Sequence, residues 1–381
     1  MTRGADRPEF LQRPGLGMVL AALPRARLVG GCVRDSLVGV AVADIDLATP
    51  DTPEAMTEAL VAAGLRVIPT GIAHGTVTAL AQGDSYEITT LRRDVQTDGR
   101  HAVVAYTDDW RLDAGRRDFT INAMSMTADG TVFDYFGGIA DLRQGRVRFV
   151  GAAGLRIAED YLRILRYFRF LARYGAGAPD AAATAAIAAG VGGLHRLSGE
   201  RVWSELRRIL LAPKPQAALE LMHRLGVLPA ILPTILPWAH SAGVDHLPPD
   251  PLLRLAALVP HGPVDLKLSR EEAARLLALQ GPAPSEPIDD ASLRRALADT
   301  PVDILVGRAA LAGRSEALRA RLLAMPVPVF ALQGRDLQAL GMPPGPAIGE
   351  TLRRLRESWL ASGCTLSRDD LLAQLAGTSP P

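Results

Sequence analysis

Between Arg27 and Ala48 the chain places a strand, a glycine turn, a helix and a second strand in immediate succession, and few folds accept that order. Arg27 to Val29 reads as a short strand running into Gly30 and Gly31, and Cys32 to Val38 as one or two helical turns stopped by Gly39. Ala43 to Ala48 then alternates, with Ile45 and Leu47 on one face and Asp44 and Asp46 on the other. A glycine turn at a helix start aims backbone N–H groups at an anion. Two aspartates one residue apart on a strand set their Cα atoms roughly 6.5 Å apart, so both carboxylates can lean toward one cluster of hard cations. Taken singly, these features are an ordinary tight turn, a surface Arg34 and a solvated strand face. Together, GGCVRD followed by DID suits a triphosphate and its metal ions, and points to nucleotidyl transfer.

The surrounding pattern is that of a small α+β head. Thr52 to Ala63 reads as a helix with Pro53 early and Gly64 as its stop. His74 to Ala81 and Tyr86 to Leu91 alternate as two strands of a hairpin around Gln82 to Ser85. On the second strand Glu87 points away from the face of Ile88, making it the candidate third carboxylate. Arg92 to Trp110 is polar and aperiodic, and is expected to be a long, mobile, functional loop. From Arg156 the period becomes helical, with Ile157, Tyr161, Ile164, Leu165, Phe168 and Leu171 on one stripe up to Gly175. The remainder is expected to be helical: from Ala181, then Glu200 to Leu211, Gln216 to Leu225, Leu252 to Leu258, Arg270 to Leu279, Ile348 to Leu360 and Arg368 to Leu375. Proline and glycine clusters separate these segments.

Composition limits the function classes. A chain of 381 residues exceeds what one core supports, so two or more packed units are expected. Its net charge of +1 gives no general attraction to nucleic acid, which must instead meet a local basic face. Cys32 and Cys364 make neither a disulfide framework nor a multi-cysteine zinc site, so a reducing compartment and no disulfide-linked partner are expected. No signal-peptide pattern and no run near the ~18 apolar residues of a membrane span are present, and a cytoplasmic location without membrane contact is expected.

The stretch from Gly30 to Asp46 resembles motif A of the tRNA nucleotidyltransferase and bacterial poly(A) polymerase family, class II of the polymerase β-like superfamily. RRDFTINAM from Arg116 to Met124 resembles the family's ribose-binding motif B, and DYFGGIADL from Asp134 to Leu142 its hinge motif C. EDYLRILR from Glu159 to Arg166 resembles motif D, and ERVWSELRRIL from Glu200 to Leu210 motif E. In this span the chain is most similar to CCA-adding members of alphaproteobacterial and mitochondrial type. The resemblance implies a polymerase β-like α+β head over residues 1–142, then an all-helical neck over 143–211, body over 212–325 and tail over 326–381. It implies addition of C, C and A from CTP and ATP to the 3′ end of tRNA, with Mg2+ held by Asp44 and Asp46. Residue by residue, Gly30, Gly31 and Arg34 would grip phosphates, Asp118 would hold the ribose 2′-hydroxyl with Arg117 and Asn122 beside it, and Arg166 would reach the triphosphate. Either Asp46 or Glu87 would accept the proton from the attacking hydroxyl. The uninterrupted loop from Arg92 to Trp110 matches in position the family's flexible loop, which argues against a CC-only product.

Asp160 and Arg163 also have a physical reading, because three residues of helix separate them and they share a face. A carboxylate accepts from the amino group of C or A while a guanidinium donates to the neighbouring ring atom, and U and G place a repelling carbonyl there. The competing reading is an intrahelical ion pair worth ~0.3–0.5 kcal/mol. His74, Tyr161, Tyr167 and Phe168 read as structural. The segment from Gly334 to Trp359 resembles the family's tail motif, whose turn would offer backbone amides to tRNA phosphates. His240, Asp245 and His246 lack a contiguous HD signature, so no fused hydrolase is expected. The alternatives are a poly(A) polymerase, whose added basic segment after motif A is missing here, and an inert tRNA-binding module.

Overall fold

The computed structural model describes residues 2–3, 8–98, 101–236, 243–259 and 261–376. Its chain divides into two compact units, residues 1–233 with 265–267, and 234–264 with 268–381.

The first unit is built on a mixed sheet. Its strands are β1 (Thr2–Arg3), β2 (Arg27–Val29), β3 (Asp46–Thr49), β4 (Arg66–Gly71), β5 (Thr76–Ala81), β6 (Asp84–Thr90), β9 (Met124–Met126) and β10 (Thr131–Asp134); β7 (Arg92–Asp98) and β8 (His101–Tyr106) form a separate ribbon. The sheet runs β1-β10-β9-β2-β3-β6-β5-β4, and among the described strands only β3 and β6 pair in parallel. Helix α1 (Pro14–Ala22) lies against β5 so closely that a Cβ at Gly15 would meet the Ala81 carbonyl at 2.6 Å and the Tyr86 hydroxyl at 2.9 Å. Helix α2 (Gly31–Leu37) follows the glycine turn, and α3 (Pro53–Ala62) begins at Thr52, whose hydroxyl accepts the Ala55 N–H. Leu47, Tyr86 and Ile88 are buried on the helix-covered face, which leaves Asp46 and Glu87 on the other. The β5–β6 hairpin turns at Gln82 and Gly83, both at positive φ (53° and 87°), the geometry of a two-residue hairpin that suits right-twisted strands.

The helical part of this unit runs α4 (Trp110–Gly115), α5 (Gly138–Arg143), α6 (Ala153–Glu159), α7 (Leu162–Tyr174), α8 (Ala181–Gly190), α9 (Gly199–Leu210), α10 (Gln216–Arg224) and α11 (Val227–Ile231). One side of α7 packs into an aromatic cluster in which Phe119 meets Phe149 at 4.8 Å and Phe149 stacks on Tyr167 at 5.9 Å. This explains the structural reading of Tyr167 and Phe168, both fully buried.

Several expectations are corrected. The strand expected from Ala43 starts only at Asp46, because its neighbour β2 is three residues long and pairs no further; Asp44 precedes the strand in irregular chain. His74 ends a short 3-10 turn outside the hairpin strand. The segment expected as a loop from Arg92 is the β7–β8 ribbon, with a bulge between Asp94 and Gln96. A two-stranded ribbon needs no buried face for its ladder, so its sequence carries no alternation. Residues 99–100 at its tip lie outside the described residues. The single helix expected from Arg156 is two, broken at Asp160 (φ −155°, ψ 109°), whose carboxylate accepts the Leu162 N–H at 3.0 Å in place of a helical bond.

The second unit is helical among its described residues: α12 (Pro251–Ala256), α13 (Arg270–Leu279), α14 (Asp290–Asp299), α15 (Val302–Leu311), α16 (Glu316–Ala324), α17 (Gly334–Ala339), α18 (Pro346–Ala361) and α19 (Arg368–Ala376). Ser269 and Glu272 form a capping box at the start of α13. Asp250 caps α12 and takes two bonds from Arg275, at 3.1 and 2.6 Å. One core gathers Leu293, Leu297, Leu305, Ala309, Leu318 and Leu322, another Leu332, Leu337, Leu355, Trp359 and Leu371. The helical character of this part was expected, but α14 to α16 were not individually bounded. Asp245 and His246 sit in a 3-10 turn, while His240 lies outside the described residues. No described helix is long and apolar enough to cross a membrane.

Candidate active site

The glycine turn is the backbone feature on which the site depends. Gly30 has φ 71° and ψ −123°, a conformation closed to other residues, and a Cβ there would stand 3.2 Å from Arg117 Nη1. We expect Gly30→Ala to cost about 1–3 kcal/mol and lower the melting midpoint by several degrees. An unchanged thermal midpoint would show that the turn tolerates an L side chain.

Asp46 is the cross-strand partner of Glu87 in the parallel β3–β6 pair, so the two acids stand side by side on the open face. Although open to solvent on one side, the Asp46 carboxyl is raised above its ordinary value, first by lost hydration in the concave wall, then by the Glu87 charge; Arg117 opposes this and Asp44 adds to it. A like-charge cluster of hard oxygens that one arginine only partly offsets suits a divalent cation. Among the described residues no three acidic, histidine or cysteine side chains are close enough to enclose an ion alone. Asp44 and Asp46 are hard oxygen donors of the kind that hold a divalent cation together with water and substrate oxygens.

Two concavities meet at these acids. A cleft of about 1470 Å³ is lined by Gly30, Gly31, Asp44, Asp46, Asp118, Asn122, Asp160 and, among the described residues, by nine arginines. Carboxylates behind the wall, Asp35, Asp113, Glu159 and Glu205, pair with several of these arginines, so the cleft presents a dense row of oriented guanidinium donors rather than a large uncompensated charge. A smaller groove of about 420 Å³ shares Asp44 and Asp46 with the cleft and adds Glu87, Thr78 and Arg13.

Inside the cleft the expected ribose residues form one hydrogen-bonded chain. Arg34, 8% exposed, donates to the Asn122 Oδ1 at 2.5 Å, and Asn122 donates to Asp118 at 3.0 Å. Arg166 donates to Asp118 from Nε at 2.6 Å, and the Phe119 N–H reaches the same carboxylate at 2.9 Å. Burial raises the Asp118 pKa most, but Arg166 and these hydrogen bonds together outweigh it and hold the carboxyl below its ordinary range. Arg166 thus pairs with Asp118 through Nε and Nη2, and it lines the same cleft as the glycine turn. Arg117 is anchored at 3.3 Å by Asp113, a buried carboxylate that sequence reasoning missed and that also takes Arg116 at 2.8 Å.

Asp160 and Arg163 both line the cleft, but their side chains do not pair with each other. Asp160 receives Arg201 at 2.8 Å, and Arg163 is held by Glu159 and by the Arg156 carbonyl at 3.0 Å. The helix break between them removes the simple intrahelical pair. Arg169 and Arg173, also missed, continue the Arg163–Arg166 row along α7, a spacing of three to four that the sequence displays openly. Burial lowers Arg169 to about 10, against the pull of Glu205.

Comparison with known proteins agrees with this geometry. Residues 26–148 match the Poly A polymerase head domain, and residues 179–238 match the probable RNA and SrmB-binding site of polymerase A. The chain is 40% identical over 378 residues to the mouse mitochondrial CCA tRNA nucleotidyltransferase 1, spanning 92% of this chain and 86% of that protein. It is 30% identical over 376 residues to the CCA-adding enzyme of Limosilactobacillus fermentum, spanning 90% of each. The crystal structure of the Bacillus stearothermophilus CCA-adding enzyme in complex with CTP superposes with a TM-score of 0.71 at 26% identity, covering 96% of this chain and 98% of that one. With two such relatives matched along most of their length, and a fold shared nearly end to end, the chain belongs to the family of CCA tRNA nucleotidyltransferases.

Proposed function

We propose that the protein adds C, C and A to the 3′ end of tRNA, using CTP and ATP and releasing pyrophosphate. The observation that carries this reading is the content of one cleft: a glycine turn and two aspartates at one place, and Asp160 and Arg163, able to read a base edge, at another.

Backbone amides at Gly30 and Gly31, with Arg34 and Arg117, grip the phosphates. Asp118, fixed by Arg166 and Asn122, receives the ribose 2′-hydroxyl. Asp160 has one oxygen on the Leu162 N–H and the other on Arg201, which leaves part of the ~four acceptor sites of a carboxylate for a base amino group. Arg163 uses one nitrogen on Glu159 and Arg156, so other donors of its five remain for a ring nitrogen or carbonyl. The primer 3′-hydroxyl enters from the groove bearing Glu87, attacks the α-phosphorus and gives its proton to a carboxylate of the Asp46–Glu87 pair as pyrophosphate departs. Asp44 and Asp46 would hold Mg2+, which supplies charge to activate the hydroxyl and steady the leaving group.

In this reading residues 1–142 are the catalytic head, 143–211 the base-reading neck, 212–325 the body and 326–381 the tRNA-binding tail. Cys32 and Cys364 are free thiols, which suits a reducing compartment, and the cytoplasm is our assignment. The test is incorporation on a tRNA ending at its discriminator base, with CTP alone, ATP alone and both. Two CMP additions followed by one AMP are expected. Extension by ATP alone would instead indicate a poly(A) polymerase, and no incorporation would overturn the assignment.

A further inference from the structure

Helix α7 carries Arg163 in its first turn and ends, roughly 16 Å away, against the phosphate end of the site. There the Tyr174 hydroxyl donates to Asp35 Oδ1 at 2.6 Å, a contact between residues 139 positions apart in sequence. The same oxygen accepts Arg34 Nε and Nη2, each at 2.9 Å. The Arg34 guanidinium lies over the Tyr174 ring at 4.5 Å and over the Phe170 ring at 5.0 Å, while its Nη1 is taken by Asn122. Its Nη2 would sit 3.6 Å from a Cβ on Gly31, so the clamped cation faces the glycine turn.

Arg34 follows a glycine turn that supplies only partial charges, so its whole positive charge matters to an incoming polyphosphate. Asp35 orients that charge but also offsets it. A hydroxyl donated to the same carboxylate oxygen draws on its electron density, and the ring beneath keeps the guanidinium from swinging out. We propose that Tyr174 is a positioning residue for the triphosphate: its hydroxyl on Asp35 and its ring beneath Arg34 hold the guanidinium toward the glycine turn and couple the phosphate grip to the helix that reads the base. This rests on the nucleotide reading of the cleft. Because the contact lies at the phosphate end, its effect is the same for both nucleotides.

The test uses the full-length chain and Tyr174→Phe, which keeps the ring and removes the hydroxyl. Kinetics are measured for CTP on a tRNA lacking CCA and for ATP on a tRNA ending in CC, with inorganic tripolyphosphate as a competitive inhibitor. Loss of one hydrogen bond to a charged group should raise KM for CTP and ATP by a common factor, on the order of five- to tenfold, with kcat little changed. The inhibition constant of tripolyphosphate should rise by that same factor. An unchanged KM, a rise for one nucleotide alone, or a fall in kcat without a rise in KM overturns the proposal. If Tyr174→Phe does not fold, Tyr174→Met, which loses both the hydroxyl and the ring while filling the space, should give at least the same base-independent rise; its absence is equally fatal. Wild-type protein that incorporates neither nucleotide would overturn the proposed function itself, a result distinct from an active variant with unchanged KM.

Discussion

Replacing Asp46 by Asn is expected to lower CMP and AMP incorporation by about 10³-fold or more while leaving the fold intact. The amide keeps the shape of the side chain but removes an anionic oxygen where a hard divalent cation needs one, and the loss of such charge stabilisation is worth several kcal/mol of barrier. The backbone of Asp46 stays in β3, paired with Glu87 of β6, so the substitution costs the sheet nothing. Its carboxylate stands beside that of Glu87 and near Asp44, and removing one of three like charges relieves repulsion. The melting midpoint of Asp46→Asn should therefore equal or exceed that of the wild type. Single-turnover incorporation paired with a thermal melt separates the two quantities. Activity retained within tenfold would show that the acids on the open face do not hold the reacting centre.

Asp118→Ala is expected to injure both stability and activity. The carboxylate is 8% exposed and accepts bonds from Arg166, Asn122 and the Phe119 N–H. Removing one partner of a buried pair commonly costs about 3–5 kcal/mol; the Arg166 side chain is 32% exposed and regains some water, so about 2–3 kcal/mol is expected. The sign of the pH effect follows from the lowered pKa. A carboxyl depressed in the folded state contributes stability that is complete above its unfolded value near ~4 and is lost as pH falls toward the folded value. Denaturant titrations from neutral pH into the acid range should thus show the wild type losing its advantage over Asp118→Ala below about pH 4. Parallel curves throughout that range would refute the ion pair. Activity should fall with stability held constant at low temperature, because Arg34, Asn122 and Arg166 all lose the anion through which they are aligned.

The features legible in the sequence were those whose physics is local. The glycine turn announced itself because Gly30 must adopt a conformation barred to other residues, and Asp46 and Glu87 could be placed on the open face because Leu47 and Ile88 beside them belong to the core. Arg270–Leu279 was bounded to the residue, and the structure places a local Ser269–Glu272 capping box at its start. Asp160 was misread because its break from helix depends on Arg201 and on its own bond to Leu162, and no hydrophobic period records either. Asp113 and Tyr174 were invisible for the same reason: their meaning lies in Arg117 and Asp35, partners supplied by folding. The β7–β8 ribbon escaped because its pairing is a backbone ladder, interrupted by a bulge between Asp94 and Gln96, and its sequence shows no alternation. The row Arg163, Arg166, Arg169, Arg173 was in plain view, and a helical-wheel count would have put all four toward one side.

The parallel pairing of β3 and β6 has a consequence for how such a site tolerates change. Asp46 and Glu87 are neighbours by ladder register, while the chain between them wanders through α3, β4 and β5. Lengthening or trimming that excursion, at the turn after α3 or the bulge between Ile68 and Gly71, leaves the spacing of the two acids as it is, since amide-to-carbonyl bonds maintain it. A one-residue slip of β6 would instead bury Glu87 and bring Tyr86 or Ile88 outward. Variation is therefore permitted in the length of the detour and forbidden in the phase of the strand.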